Sequence, residues 1–212
     1  MIKWKYIDCD CDAVREYSAA ATKFSFWFNE YRLILNLIED GRSKEEIKTI
    51  SHEYNIFSTP SKERGDGIIA VVYNRVTSLS EGLNGLMDIS DIETQKIIVL
   101  VSIMRTEPLF FDFMYEVFRE KIITRDTILA DLDIRTFFRY KQETNDIVKK
   151  WTEESLNKLK NTYKLYLAEA GLTNRAIGDR TIIRPYLDTS LKSALVHAGM
   201  DDVIKAFGCV DQ

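Results

Sequence analysis

Apolar and polar residues alternate along most of this chain with the period of a helix. From Phe26 to Asp40 the polar positions Asn29, Arg32, Asn36 and Glu39 fall three and four apart. They form one wet stripe on a cylinder otherwise lined by Trp27, Phe28, Leu33, Ile34 and Leu37, so the helix packs over most of its circumference. Gly41 ends it. Ser43-Lys44-Glu45-Glu46 is a capping box that opens a short helix to about Tyr54. Asn55 to Pro60 reads as a turn. Ile68, Val71, Val72, Arg75 and Val76 then mark a helix from about Ser61 to Leu79. The pair is either a helix-turn-helix presenting Ser61, Lys62 and Arg64 or an ordinary helical hairpin. Leu83 to Ser90 reads as a loop or short turn, and Asp91 to Met104 as a buried helix. Thr106-Glu107-Pro108 starts another, with proline tolerated in the first turn. Its Phe110, Phe113, Met114, Val117 and Phe118 follow helical spacing, which marks a core stripe rather than a base-stacking surface.

The second half changes style. Ile122-Ile123-Thr124 is briefly β-like, and Thr124 then caps a helix carrying Ile128, Leu129, Leu132, Phe137 and Phe138. Lys141 to Lys150 is polar and reads as a loop. Thr152 is the N-cap of a helix reaching Ala170, with Glu153 and Glu154 favourable in its first turn. Leu156, Leu159, Tyr163, Tyr166 and Ala170 face inward, whereas Asn157, Lys160, Asn161 and Lys164 form an outward stripe. Gly171 stops the helix, and Leu172 to Arg184 alternates around Gly178-Asp179 as a hairpin does. A helix followed by a basic hairpin is how a winged helix-turn-helix ends. Asp188 to Gly199 and Asp201 to Gly208 close the chain as short helices. The expected fold is therefore mainly α, a helical bundle with a C-terminal winged-helix-like module that holds a small β-hairpin. Residues 1–16 read as a tail, 17–123 as the bundle and 124–212 as the module, with the aromatic helix packing against both.

Composition narrows the function. The 212 residues are 45% hydrophobic with only 3 Pro and 9 Gly, which allows a real core and favours helices. A net charge of −4 excludes a general polyanion binder, so any nucleic-acid surface must come from local segregation. Arg135 to Pro185 has that segregation: 11 Lys and Arg against 6 Asp and Glu. Cys9, Cys11 and Cys209 form no disulfide framework, and His52 and His197 fall on separate helices, away from Cys9-Asp10-Cys11. The N-terminus has no apolar leader, and the longest apolar stretch, Ile97 to Met104, is too short to span a bilayer. A cytoplasmic protein without membrane contact is expected. No catalytic constellation is visible. The histidines lack an adjacent nucleophile, Gly82-Leu83-Asn84-Gly85 lacks the Lys-Ser/Thr of a phosphate loop, and Asp131-Leu132-Asp133 points its carboxylates apart on a helix. The reading expects no enzyme, no metal and no cofactor.

What remains is the outward stripe. Asn can pair bidentately with adenine, and Lys contacts guanine or phosphate. Arg175, Arg180 and Arg184 of the hairpin are suited to grip flanking phosphates, and Lys62 and Arg64 offer a second contact from the N-terminal half. The same residues also suit an ordinary solvated helix face and a hairpin that covers the core.

Several segments together resemble the BrxA family. These are Tyr17-Ser18-Ala19-Ala20-Ala21-Thr22-Lys23 followed by Glu30, Arg32 and Leu33, Asn55-Ile56-Phe57 leading to Ser61, and Phe113 through Lys121. Trp151-Thr152-Glu153-Glu154-Ser155-Leu156, Ala170-Gly171-Leu172 and Ile183-Arg184-Pro185-Tyr186-Leu187 complete the ordered set across roughly residues 17–200. BrxA proteins are helical components of BREX, the bacteriophage exclusion systems of bacteria. The resemblance implies a non-catalytic accessory protein that works with a methyltransferase, an ATPase and other defence proteins. The family is likened to the RNA-binding antitermination protein NusB and is thought to bind DNA, so the implied partners are double-stranded DNA, RNA, or other phage-defence complex proteins. Members have also been labelled membrane proteins, for which this chain offers no support. One departure stands out. The helix from Ser61 to Leu79 tends to be richly basic in relatives, whereas Gly65, Asp66 and Gly67 interrupt it here and leave Lys62, Arg64 and Arg75. That shifts the expected DNA contact to the C-terminal module.

Overall fold

The computed structural model describes residues 16–209. Cys9, Cys11 and nearly all of the expected tail lie outside them. Helices dominate: α1 (Phe28–Glu39), α2 (Lys44–Tyr54), α3 (Lys62–Thr77), the short α4 (Glu81–Asn84) and α5 (Leu86–Ile89), and α6 (Ile92–Thr106). After them come α7 (Pro108–Phe113), a π-helical turn (Met114–Phe118), α8 (Arg119–Ile123), α9 (Asp131–Thr144), α10 (Glu153–Glu169), α11 (Thr189–His197) and α12 (Asp201–Ala206). β1 (Ile128–Leu129) and β2 (Arg180–Thr181) form a small antiparallel sheet. The mainly helical fold with a small β element matches the sequence reading.

Caps set the helix starts as the sequence suggests. Ser43 and Glu46 complete their reciprocal box, with Ser43 N donating to Glu46 at 2.8 Å and Glu46 N donating to Ser43 Oγ at 3.3 Å. Thr152 Oγ1 accepts from Ser155 N at 3.2 Å. The helices then bury their apolar faces in one continuous core that runs from Ala21 to Phe207. α6 lies at its centre, buried on every side from Ile97 to Met104, which is why its sequence shows no polar stripe there. Aromatic rings join the two halves. Phe110 meets Tyr163 at 4.9 Å and Tyr166 at 5.3 Å, and Phe113 meets Phe137 at 5.4 Å, in edge-to-face geometry. Burying each such ring contributes about 1.5–3 kcal/mol. The fully buried Arg75 adds a polar link. Its guanidinium donates to the carbonyls of Ser25 (2.9 Å) and Phe26 (3.1 Å) and to the Tyr166 hydroxyl (3.2 Å), so it is no surface cation.

Four segments differ from the sequence reading. Leu83 to Ser90, read as a loop or short turn, falls in the helical turns α4 and α5, started by the Ser80 cap. Ile122-Ile123-Thr124 is not β-like but ends a helix: Thr124 Oγ1 donates back to Glu120 O at 2.8 Å, which closes α8 instead of capping a new one. Ile128 and Leu129 are consequently strand, not helix. Their partner β2 lies about fifty residues on, with Ile128 opposite Thr181 and Leu129 opposite Arg180. The other edge of β2 carries the expected hairpin, through the Thr173–Ile182 bridge and an Ile183 N to Leu172 O bond of 2.9 Å. Lastly, α9 runs through Lys141 to Thr144 because Lys141 is a buried ion-pair partner, not a loop lysine. Its Nζ lies 2.6 Å from Asp112 and 2.8 Å from Glu116. The Tyr17 hydroxyl also donates to Asp112. Burial works against the Lys141 charge, yet the two carboxylates outweigh it and raise its pKa above that of an ordinary lysine.

Candidate nucleic-acid interface

α9 and α10 lie side by side and antiparallel. Asp131 at the start of α9 meets Lys164 late in α10 at 2.9 Å, and Gln142 near the end of α9 lines the same hollow as Glu153 at the start of α10. Helical spacing dictates what they show outside. Ile134, Phe137 and Phe138 of α9 and Leu156, Leu159 and Tyr163 of α10 turn into the core. That leaves Arg135 and Arg139 on one wall of a groove and Lys160 and Lys164 on the other, each pair four residues apart and on one helix face. The groove consists of two adjoining hollows of about 300 and 240 Å³ that share Arg135 and Lys160. Asn157 and Asn161 are exposed along it.

The charges are not all free. Lys160 is paired with Glu153 at 3.3 Å and Lys164 with Asp131 at 2.9 Å, and their side chains are only 14% and 16% exposed. The expectation of lysines standing free on the stripe is therefore corrected. Arg135 and Arg139 are exposed, and neither is held in an ion pair with a described residue. The two lysine pairs differ in strength. Glu153 is 69% exposed, and an exposed pair is worth about 0–1 kcal/mol, so a phosphate can replace it at Lys160 with little loss. Asp131 is held harder, because it also receives the guanidinium of the fully buried Arg180. Partial burial raises the Asp131 pKa, but the hydrogen bonds from Arg180 and Lys164 outweigh that and keep it below the usual carboxylate range.

Arg180 is the clearest correction. It does not reach outward for phosphate. Its guanidinium donates to Leu129 O (3.1 Å), Ala176 O (3.3 Å) and Asp131, and so it fastens the sheet and the hairpin to α9. Arg175 is exposed on the hairpin loop, with Nε donating to Asp179 O at 2.8 Å. Arg184 is exposed and donates to Ile122 O at 3.2 Å. Lys62 and Arg64 lie at the start of α3, which packs against α1, α2 and α6 and contributes nothing to the groove. Arg64 there covers the Trp27 ring at 5.7 Å. The interrupting Asp66 is accounted for: it pairs with Lys48 at 2.9 Å and His52 at 2.7 Å, joining α3 to α2. Gly65 lets the two helices approach, since a Cβ there would lie 3.1 Å from Ser51 Oγ. The sequence reading brought Asn157, Lys160, Asn161 and Lys164 together and missed Arg135 and Arg139. Their four-residue spacing opposite Ile134, Phe137 and Phe138 was the available signal.

Among the described residues, no group of His, Cys, Asp and Glu is arranged to hold a metal ion, and no helix is long and apolar enough to cross a membrane. The BrxA family model matches residues 15–199. The BREX protein BrxA of Bacillus cereus (strain H3081.97) is 37% identical over 161 residues, which is 76% of this chain and 80% of that one. The crystal structure of an uncharacterized protein from Magnetospirillum magneticum superposes with a TM-score of 0.76, covering 91% of this chain and 98% of that chain. At 17% identity that likeness concerns the fold alone.

Proposed function

The chain belongs to the BrxA family, and from that premise we propose that it is a non-enzymatic BREX phage-defence component that binds duplex DNA along the α9–α10 groove. The observation that carries the reading is the pair of antiparallel helices with Arg135, Arg139 and Lys160 on opposing walls of one open groove. Affinity comes mainly from phosphates, with limited base reading by Asn157 and Asn161 on the exposed rim. Lys164 is partly committed to Asp131 and contributes less. The hairpin beyond α10 extends the surface through Arg175, in the manner of a wing. The 37% identity to the BREX protein BrxA of Bacillus cereus supports placing the chain in a BREX system.

A fluorescence-anisotropy titration tests this with labelled duplex DNA and, in a parallel arm, structured RNA. The expected result is duplex binding that weakens steeply with salt and disappears in R135A/R139A/K160A while the thermal melt is unchanged. Equal binding by that variant overturns the site. Preference for the RNA, or no binding to either, overturns the duplex reading in favour of RNA binding or of a protein adaptor.

A further inference from the structure

We propose that Ile177, at the tip of the hairpin, is an apolar wedge that enters a base step of the bound duplex and distorts it. The proposal rests on the duplex-DNA reading above. Ile177 is 85% exposed, more than any other large apolar side chain among the described residues. A tip that only had to turn the chain in water has no use for a β-branched hydrocarbon there. The loop behind it is nevertheless built firmly. Thr173 Oγ1 donates to Arg175 O at 3.2 Å, Arg175 Nε donates across the loop to Asp179 O at 2.8 Å, and Arg180 Nε donates to Ala176 O at 3.3 Å. An exposed apolar side chain on a braced support is a prong held ready for a partner.

Its position says which partner. The bonds run without a break from the groove to the tip. Lys164 meets Asp131, Asp131 meets the Arg180 guanidinium, and that guanidinium holds the carbonyl of Ala176, the residue before Ile177. The tip is thereby braced against the lysine wall of the groove, and on that continuity we place it against the same duplex. Arg175, two residues before it, offers its charge to the backbone there. An isoleucine, stiff about its first torsion, suits insertion between bases, as apolar wedges do in proteins that kink DNA from the minor groove.

The test uses the full chain and a duplex with 2-aminopurine placed in TpA steps, which unstack most readily, and a fluorophore pair at its ends. Wild type should raise the 2-aminopurine emission and shorten the end-to-end distance. Ile177→Ala should bind within about threefold of wild type and lose both signals, and Ile177→Leu should restore them. With the side chain 85% exposed, these substitutions should leave the fold intact. Wild-type binding with neither signal overturns the wedge and leaves the groove reading intact. So does an Ile177→Ala protein that keeps both signals, because another group then distorts the duplex. Failure of wild type to bind the duplex at all overturns the groove reading and the wedge with it.

Discussion

Replacing Asp131 by Ala strips the carboxylate from a fully buried arginine. Arg180 keeps Leu129 O and Ala176 O as acceptors but loses its ion-pair partner, and Lys164 loses its own. Removing one member of a buried pair costs about 3–5 kcal/mol. The Asp131 side chain is itself 43% exposed, so water enters the gap and screening reduces the loss to about 2–3 kcal/mol. In a chain of this size 1 kcal/mol moves the melting temperature by about 2–4 °C, so a fall of roughly 4–12 °C is expected. Asp131→Asn keeps an acceptor for Arg180 and should lose about half as much. Urea unfolding followed by circular dichroism gives the free energy directly. The pH dependence has a definite sign. A carboxylate held below its ordinary pKa adds stability that is complete above the unfolded value and is lost as pH falls through the folded one. The gap between wild type and Asp131→Ala should therefore be full at pH 7 and close in acid below the ordinary carboxylate range. A loss under about 0.5 kcal/mol at pH 7 would refute the argument that this pair fastens the hairpin to α9.

Four further outcomes follow from particular positions. Gly208 has φ +73°, and a Cβ there would lie 2.3 Å from Ile122 Cγ2, so Gly208→Ala should destabilise by about 1–3 kcal/mol in the same urea assay. Exposed Gly67 inside α3 faces open space, and Gly67→Ala should instead stabilise by about 0.5–1 kcal/mol. Burial pushes the Tyr166 phenol up to about 12, with the nearby Arg75 opposing. Its contribution is present below pH 10 and lost as pH climbs towards 12, which phenolate absorbance and circular dichroism read together. Glu153→Gln frees Lys160 and should tighten duplex binding up to about fivefold, the worth of one exposed pair, in an anisotropy titration.

Local pattern made much of the fold legible. α1, the capping box of α2 and the inward face of α10 depend on contacts three or four residues apart, which the sequence displays. The pairing of β1 with β2 depends on a partner about fifty residues distant, and Ile128-Leu129 fits a helix stripe equally well. Lys141 looked like loop because a charge buried on Asp112 and Glu116 leaves no local trace. The same blindness made Arg180 look like a free surface cation, since its carboxylate lies at the start of another helix. The α10 half of the groove was readable from Asn157, Lys160, Asn161 and Lys164. The α9 half was not, because a helix begun at Thr124 and stopped before Lys141 draws attention away from Arg135 and Arg139.

The most direct measurement is the salt dependence of duplex binding by wild type and by R135A/R139A. With about 0.9 lost from the logarithmic slope per phosphate contact, three or four groove cations give a wild-type slope of about −3 to −4. Removing two arginines should leave about −1 to −2 with an unchanged fold. A wild-type slope near zero, or the same slope in both proteins, would contradict a phosphate-binding groove between α9 and α10.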